Sequence, residues 1–462
     1  MTSKPNVLFF FTDDQRFDTI GALGNQQIKT PHMDALVKQG TAFTHAHIPG
    51  GTHGAVCMPS RCMLHTGRTL FHIHDHGSSV PSEHRLMGET FRQHGYRTFG
   101  TGKWHNGKEA FARSFTDGGE IFFGGMSDHW NVPAYDFDPT GTYPPSKWIK
   151  DPFYTNDISY QHCDHIRAGK HSSELFCECA RNWLDGYDRD EPFFMYISFT
   201  APHDPRSMPD EFLHMYDPES IELPENFQEE HFDYGIRTIR DEVLAPYPRT
   251  AHEIKRHIAE YYGMITHLDH ELGKVINTLK AKGMYDNTII VFAGDNGLAV
   301  GQHGLMGKQS CYEHSVRVPM IFSGPRIPRG RQQETYTYLM DIFPTLCDLT
   351  SIPIPETVEG SSLLPALKHD ETIREDLYLV YGSLCRGVKD RQYKLVEYRH
   401  ETLSATQLFD LVHDPMELNN LADEPAYKEI KNRLTARLLT YRDTWDDASH
   451  STGKVFWDSY NQ

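Results

Sequence analysis

Two pairs of hard oxygen donors are the first chemistry this sequence offers. Asp13-Asp14 follows one short apolar run and Asp295-Asn296 follows another, far along the chain. Three carboxylates and an amide supply much of the roughly six to eight oxygens that a calcium ion takes. Each pair alone also fits a turn or a helix cap. The second centre is Cys57, in Cys57-Met58-Pro59-Ser60-Arg61. A helix N-terminus and a nearby arginine lower a thiol pKa, so Cys57 is either a reactive thiolate or an inert buried cysteine. The run His72-Ile73-His74-Asp75-His76 suggests a third chemistry, that of a zinc hydrolase. Such a site needs one more residue inside the run and later histidine ligands, so a loop near the Cys57 helix is the better reading.

These groups need a scaffold. Residues 6–11, 192–199 and 288–293 are apolar runs of the length that forms buried parallel strands, and another strand is expected at 96–100. Thr30-Pro31 opens a helix as N-cap and first residue, and Gly40 stops it. Residues 82–94 read as a helix ending at Gly95, and 341–349 as another. Ile254, Ile258, Tyr261, Ile265, Leu268, Leu272, Val275 and Leu279 alternate spacings of four and three, which places them on one helical stripe. Strand alternating with helix predicts an α/β domain with a large mixed, mostly parallel sheet flanked by helices. Ligands in such sheets bind beyond the carboxyl ends of the strands, so the polar clusters after residues 11, 100, 199 and 293 are expected on one rim. Segments 107–171 and 206–249 show no period and read as long functional loops. From about residue 375 the texture changes to short antiparallel strands (377–381, 388–389, 393–398, 407–411) and a helix over 425–443. The expected division is a catalytic α/β domain over 1–375 and a smaller C-terminal α+β subdomain over 376–462.

The chain has 462 residues, enough to bury a large core. Its 45 Lys plus Arg against 63 Asp plus Glu leave a net charge of −18, which argues against a general nucleic-acid partner. No run of about 18 apolar residues suggests a membrane span. Eight cysteines are too sparse for a disulfide scaffold. With no apolar signal core at its start the chain reads as cytoplasmic as written, or as periplasmic or secreted if an export signal has been removed.

Cys57-x-Pro59-Ser60-Arg61, trailed by Thr66-Gly67-Arg68, resembles the signature of the type I sulfatases, in the alkaline-phosphatase superfamily. The resemblance continues through Asp13-Asp14, Gly102-Lys103-Trp104-His105, Pro202-His203, Asp295-Asn296 and Gly307-Lys308 to Leu408-Phe409-Asp410-Leu411 and Asn420-Leu421. It implies an alkaline-phosphatase-like fold and hydrolysis of a sulfuric ester. It also implies that a maturation enzyme oxidises Cys57 to formylglycine, whose hydrate is the nucleophile and touches the metal. Arg61 would hold that group. Asp13, Asp14, Asp295 and Asn296 would bind one calcium ion. Lys103, His105 and Lys308 would contact the sulfate ester, and His203 would sit by the leaving oxygen. Without the resemblance, a lone Lys103, Lys308, His105 or His203 is more often a solvated charge or a structural hydrogen bond.

The substrate is expected to be a sulfated saccharide, a hexuronate 2-O-sulfate of a marine or glycosaminoglycan polymer being one candidate. Arg206 could grip a carboxylate or second sulfate, and His53, His74 and His303 are further pocket candidates. The acidic net charge favours a short saccharide over a long polyanion. The alternatives are a phosphodiesterase or phosphonate monoester hydrolase of the same superfamily and, in another class, a non-catalytic glycan-binding protein.

Overall fold

The computed structural model describes residues 4–149, 151 and 153–460. Residues 1–3, 150, 152 and 461–462, on which parts of the leader, loop and C-terminal subdomain readings fall, lie outside them. The main sheet has eight strands: β1 (Asn6–Thr12), β2 (Gly40–Phe43), β4 (Arg97–Lys103), β5 (Asp117–Phe122), β6 (Phe193–Ser198), β7 (Thr288–Gly294), β8 (Met320–Ser323) and β9 (Arg331–Gln333). Their spatial order is β9-β2-β8-β7-β1-β6-β4-β5. All neighbouring pairs are parallel except the two made by β8, so the expected mixed, mostly parallel sheet is present. Along β1, Val7, Phe9 and Phe11 pack on one face, while Leu8 and Phe10 pack on the other. The alternation of side chains along a strand thus feeds two cores from one apolar run.

Helix α1 (Pro31–Gln39), α5 (Ser172–Asp185) and α6 (Ala251–Ala281) cover the Leu8 face. The stripe Ile254 to Leu279 of α6 is buried there, as its period requires. The N-cap expected of Thr30 is not made by its side chain. Asp269 of α6 accepts instead from His32 N (3.1 Å) and Met33 N (2.7 Å), so one helix caps another. On the Val7 face lie α2 (Cys57–Thr66), α3 (Met87–Gln93), α4 (Lys108–Ser114) and α7 (Ile342–Thr350). Helix α3 starts later than residue 82, because Leu86 is extended and Glu89 Oε2 accepts from its N–H at 3.3 Å. The segment 107–171 is not loop throughout. It holds α4 and the edge strand β5, whose Gly118-Gly119 hides the apolar alternation that marks a strand.

The C-terminal sheet contains β10 (Asp376–Tyr381), β11 (Cys385–Asp390), β12 (Tyr393–His400) and β13 (Leu403–Asp410), all antiparallel. A fifth strand, β3 (Gly50–Gly51), lies parallel to β10 and leads directly toward α2. Gly50 has φ 105°, and a Cβ there would meet the Val380 carbonyl oxygen at 1.9 Å, so only glycine fits. Helices α8 (Lys428–Thr444) and α9 (Ser451–Tyr460) pack on this sheet, and their apolar residues join the Val7-face core. The fully buried Asp447 ties them down. It accepts from Tyr378 Oη (2.5 Å), Arg386 Nε (2.6 Å) and Trp457 Nε1 (2.7 Å). Asp447→Ala leaves the Arg386 guanidinium buried without its counter-charge. It is expected to cost about 3–5 kcal/mol in urea unfolding, and a loss below about 1 kcal/mol would contradict this role.

Candidate active site

The carboxyl ends of β1, β4, β6 and β7 meet at one place. Adjacent side chains of a strand point to opposite faces, so Asp13 and Asp14 can converge only if the backbone turns between them. It does: Asp14 has φ 66°, in the left-handed region. Its N–H donates to Asp295 Oδ1 at 3.0 Å, joining the turn after β1 to the turn after β7. Asn296 Nδ2 donates to Asp14 Oδ1 at 2.6 Å.

Cys57 is the first residue of α2 and is buried. The helix is pinned by Ser60 Oγ donating to Asp295 O (2.5 Å) and Arg61 Nε donating to Asp295 Oδ2 (2.9 Å). Arg61 Nη1 reaches Ser198 Oγ at the end of β6 (2.5 Å), and Nη2 lies 3.4 Å from Asp13 Oδ2. Lys103 and His105 flank Trp104, which packs into the core against His65 of α2, ring centroids 4.3 Å apart. Both neighbours therefore turn toward Cys57. Its Sγ lies 3.7 Å from Lys103 Nζ and 3.6 Å from His105 Nδ1. Lys103 also contacts Asp13 and donates to Gly125 O at 2.5 Å. A left-handed Gly102, whose Cβ would strike Ser198 O at 1.8 Å, makes this turn possible where the β4–β5 register shifts.

Lys308 Nζ donates to Asp14 Oδ1 at 2.6 Å. His203 Nε2 stands 3.5 Å from Asp14 Oδ2, while its Nδ1 bonds Asp204 O at 2.8 Å. His129 Nε2 bonds His203 O at 2.9 Å from behind. The ten residues Asp13, Asp14, Cys57, Arg61, Lys103, His105, His203, Asp295, Asn296 and Lys308 thus form one buried cluster.

Burial raises Asp13, but the adjacent Lys103 and Arg61 outweigh it and hold the carboxyl well below the usual range. Burial and the Asp13 charge push Asp295 up to about 7. Burial pushes the Cys57 thiol up to about 11 despite the two lysines. His105 falls well below its ordinary value through burial and the nearby Lys103 and Arg61, so its ring is neutral. Asp13 Oδ1 and Asn296 Oδ1 are buried with no hydrogen-bond partner among the described residues. Oxygens of Asp13 and Asp295 and the Cys57 sulfur lie within 4.8 Å of one another, and so do ligand atoms of Asp13, Asp14 and His203. Crowded carboxylates with orphaned hard donors fit a divalent cation such as calcium.

A cavity of about 370 Å³ opens onto Cys57, His105, His203 and Lys308. Its outer wall is Met126, Ile239, Arg240, Asp241, Gln309 and Tyr381, which the sequence reading does not find. The four expected substrate residues lie elsewhere. Arg206 does not line the cavity: its Nη1 bonds His257 Nδ1 at 2.5 Å and its guanidinium lies over Tyr261, with Nε and Nη2 buried without a hydrogen-bond partner among the described residues. His303 is buried against Tyr312, ring centroids 4.0 Å apart. His74 is exposed and bonds Ser79 Oγ at 3.2 Å, and His53 is exposed, packing on His76 beside the Gly54-Ala55 rim. The His72–His76 run gathers no metal-ligand cluster among the described residues.

Comparison with known proteins decides the family: the sulfatase model matches residues 5–352. The chain belongs to the sulfatase family. A model of the N-sulphoglucosamine sulphohydrolase C-terminal region matches residues 301–444 of this sulfatase. It is 29% identical to an ulvan-active sulfatase of Formosa agariphila, across 94% of this chain and 80% of that protein. Its fold matches a structure solved with its substrate D-glucosamine-2-N,6-O-disulfate at a TM-score of 0.77 and 20% identity, covering 98% and 99% of the two chains. It also matches the phosphonate monoester hydrolase of Agrobacterium radiobacter at 0.74 and 23% identity, covering 96% of each. This sulfatase is therefore a sulfuric ester hydrolase with an alkaline-phosphatase-like fold.

Proposed function

We propose that this sulfatase hydrolyses a sulfate ester of a saccharide, with formylglycine made from Cys57 by a maturation enzyme and one calcium ion held by Asp13, Asp14, Asp295 and Asn296. The observation that carries this reading is the sulfur at position 57. A soft donor stands where hard oxygens converge, and burial keeps it a protonated, poor nucleophile. An aldehyde hydrate with calcium would supply an acidified oxygen nucleophile and positive charge for the sulfuryl oxygens.

The chain's own residues supply the rest. Lys103 and Lys308 reach the centre from separate elements, and in a dry cleft their charges neutralise the ester oxygens. Arg61, locked between Asp295 and Ser198, fixes the first turn of α2 and with it position 57. Among the histidines, His203 is the general acid. Its Nδ1 donates to the Asp204 carbonyl, which leaves Nε2 to carry a proton to the departing oxygen. His105 is neutral and orients position 57. The saccharide class is supported by the ulvan-active relative and by the fold match solved with a sulfated glucosamine.

His203→Ala is expected to slow alkyl and sugar sulfates about 100-fold or more, while 4-nitrophenyl sulfate, whose leaving group needs no proton, loses less than tenfold. Equal losses on both would remove His203 from proton transfer. The function itself is tested by peptide mass analysis around residue 57 of natively expressed enzyme, with turnover of sulfated disaccharides and of a phosphate diester. An aldehyde at 57 and preference for the sulfates is the expected result. A preference for the diester moves the assignment to the phosphonate monoester hydrolase branch.

A further inference from the structure

We propose that the outer part of the catalytic cavity selects sulfate esters whose leaving alcohol carries no negative charge, and that Asp241 with the Asp204–Arg240 pair makes this selection. The inference rests on the sulfatase reading above and concerns the sugar, not the sulfate.

The cations of the site divide into two groups. Lys103 and Lys308 lie at the sulfate end, against Asp13 and Asp14. Beyond them Arg240 is the one cationic side chain lining the cavity among the described residues, and two carboxylates hold it. Its Nη1 donates to Asp204 Oδ1 at 2.7 Å, its Nη2 contacts Asp204 Oδ2, and Nη1 also reaches Asp241 Oδ1 at 3.2 Å. One guanidinium is thus shared between two carboxylates, of which Asp241 lines the cavity.

Asp241 is not free to swing away. Gln309 Nε2 donates to its Oδ2 at 2.6 Å and to Gly54 O at 3.0 Å, and Gln309 Oε1 accepts from Lys308 N at 2.9 Å. The carboxylate is thus fixed to the same segment that carries Lys308. The remaining outer side chains are Met126, Ile239 and Tyr381, whose hydroxyl is the one polar atom among them. A hydroxyl finds acceptors there and an ammonium finds a counter-charge. A uronate or a second sulfate placed there meets the fixed carboxylate of Asp241 and is repelled by it at short range. The substrates that fit are monosulfated neutral hexoses or sulfated amino sugars with a free amine. Hexuronate sulfates and disulfated sugars do not fit.

The test uses three phenyl sulfates with one meta substituent each: aminomethyl, carbamoyl and carboxylate. On the mature enzyme, kcat/KM for the carboxylate is expected at least tenfold below that for the carbamoyl ester, with the aminomethyl ester at or above it. Raising salt to 1 M shrinks the Debye length to about 3 Å and should narrow the gap in the wild type. Asp241→Asn, which keeps the shape and removes the charge, should bring the gap below threefold. Leaving-group acidity is the same for both enzymes and cancels in that ratio. A carboxylate ester turned over as fast as the carbamoyl one, or a gap unmoved by both salt and Asp241→Asn, overturns the proposal. If enzyme with an aldehyde at position 57 hydrolyses neither these three esters nor sulfated disaccharides, the sulfatase reading fails and this selection fails with it.

Discussion

Cys57→Ala is expected to abolish turnover, with kcat/KM down by about 10⁴-fold or more, while the enzyme stays folded. The size follows from what is lost. Lys103, His105 and the Asp13–Asp295 pair all face one side chain, and alanine offers it no reacting atom. The fold should survive, because the substitution removes a single sulfur and leaves every bond of Ser60 and Arg61 intact. A cavity of that size costs about 1–2 kcal/mol, which thermal unfolding will register as a small shift. Activity above about 1% in a correctly folded Cys57→Ala enzyme would end the assignment of position 57 as nucleophile.

The second large effect concerns the cation. Removing calcium with a strong chelator should cut the rate at least about 10³-fold, and added calcium should restore it. Asp295→Asn keeps the acceptor for the Asp14 N–H but deletes a charge that pairs with Arg61 and that the proposed calcium would share. It should lose both calcium and activity, and added calcium should restore neither at concentrations that rescue the wild type. Binding has a signature besides turnover. A ligand at 100 times its Kd adds about 2.7 kcal/mol to stability, so calcium should raise the unfolding temperature of the stripped wild type and leave Asp295→Asn unmoved. Full activity with verified absence of metal would remove the cation from the reaction.

Much of this arrangement is legible in the residues themselves. The apolar runs of β1, β6 and β7 declare buried strands, and the polar pairs at their ends converge as sheet logic requires. The four-three stripe of α6 is equally plain. What stays hidden has a common physical cause, the lack of a local signal. The glycine-rich β5 is a strand only because β4 offers it hydrogen bonds. Asp241 and Arg240 lie in a stretch without period, and they become a cavity wall only when Asp204 and Gln309 reach them from elsewhere. Arg206 shows how far a sequence neighbourhood carries. Its sequence neighbourhood points to the substrate, yet its guanidinium sits against His257 and Tyr261. A motif fixes which residues cluster; it does not fix where the next side chain along the loop will lie.

The short strand β3 has a consequence for how this polypeptide is made. Gly50-Gly51, just ahead of α2, pairs with Val380-Tyr381, so the seam beside Cys57 has no partner until residue 381 has left the ribosome. At synthesis rates of about 5–20 residues per second that delay is roughly 20–60 s. During it the thiol that folding will bury is still on an open, nascent strip of chain. Any enzyme that must reach Cys57 has its natural appointment then, before the tail arrives and closes the door.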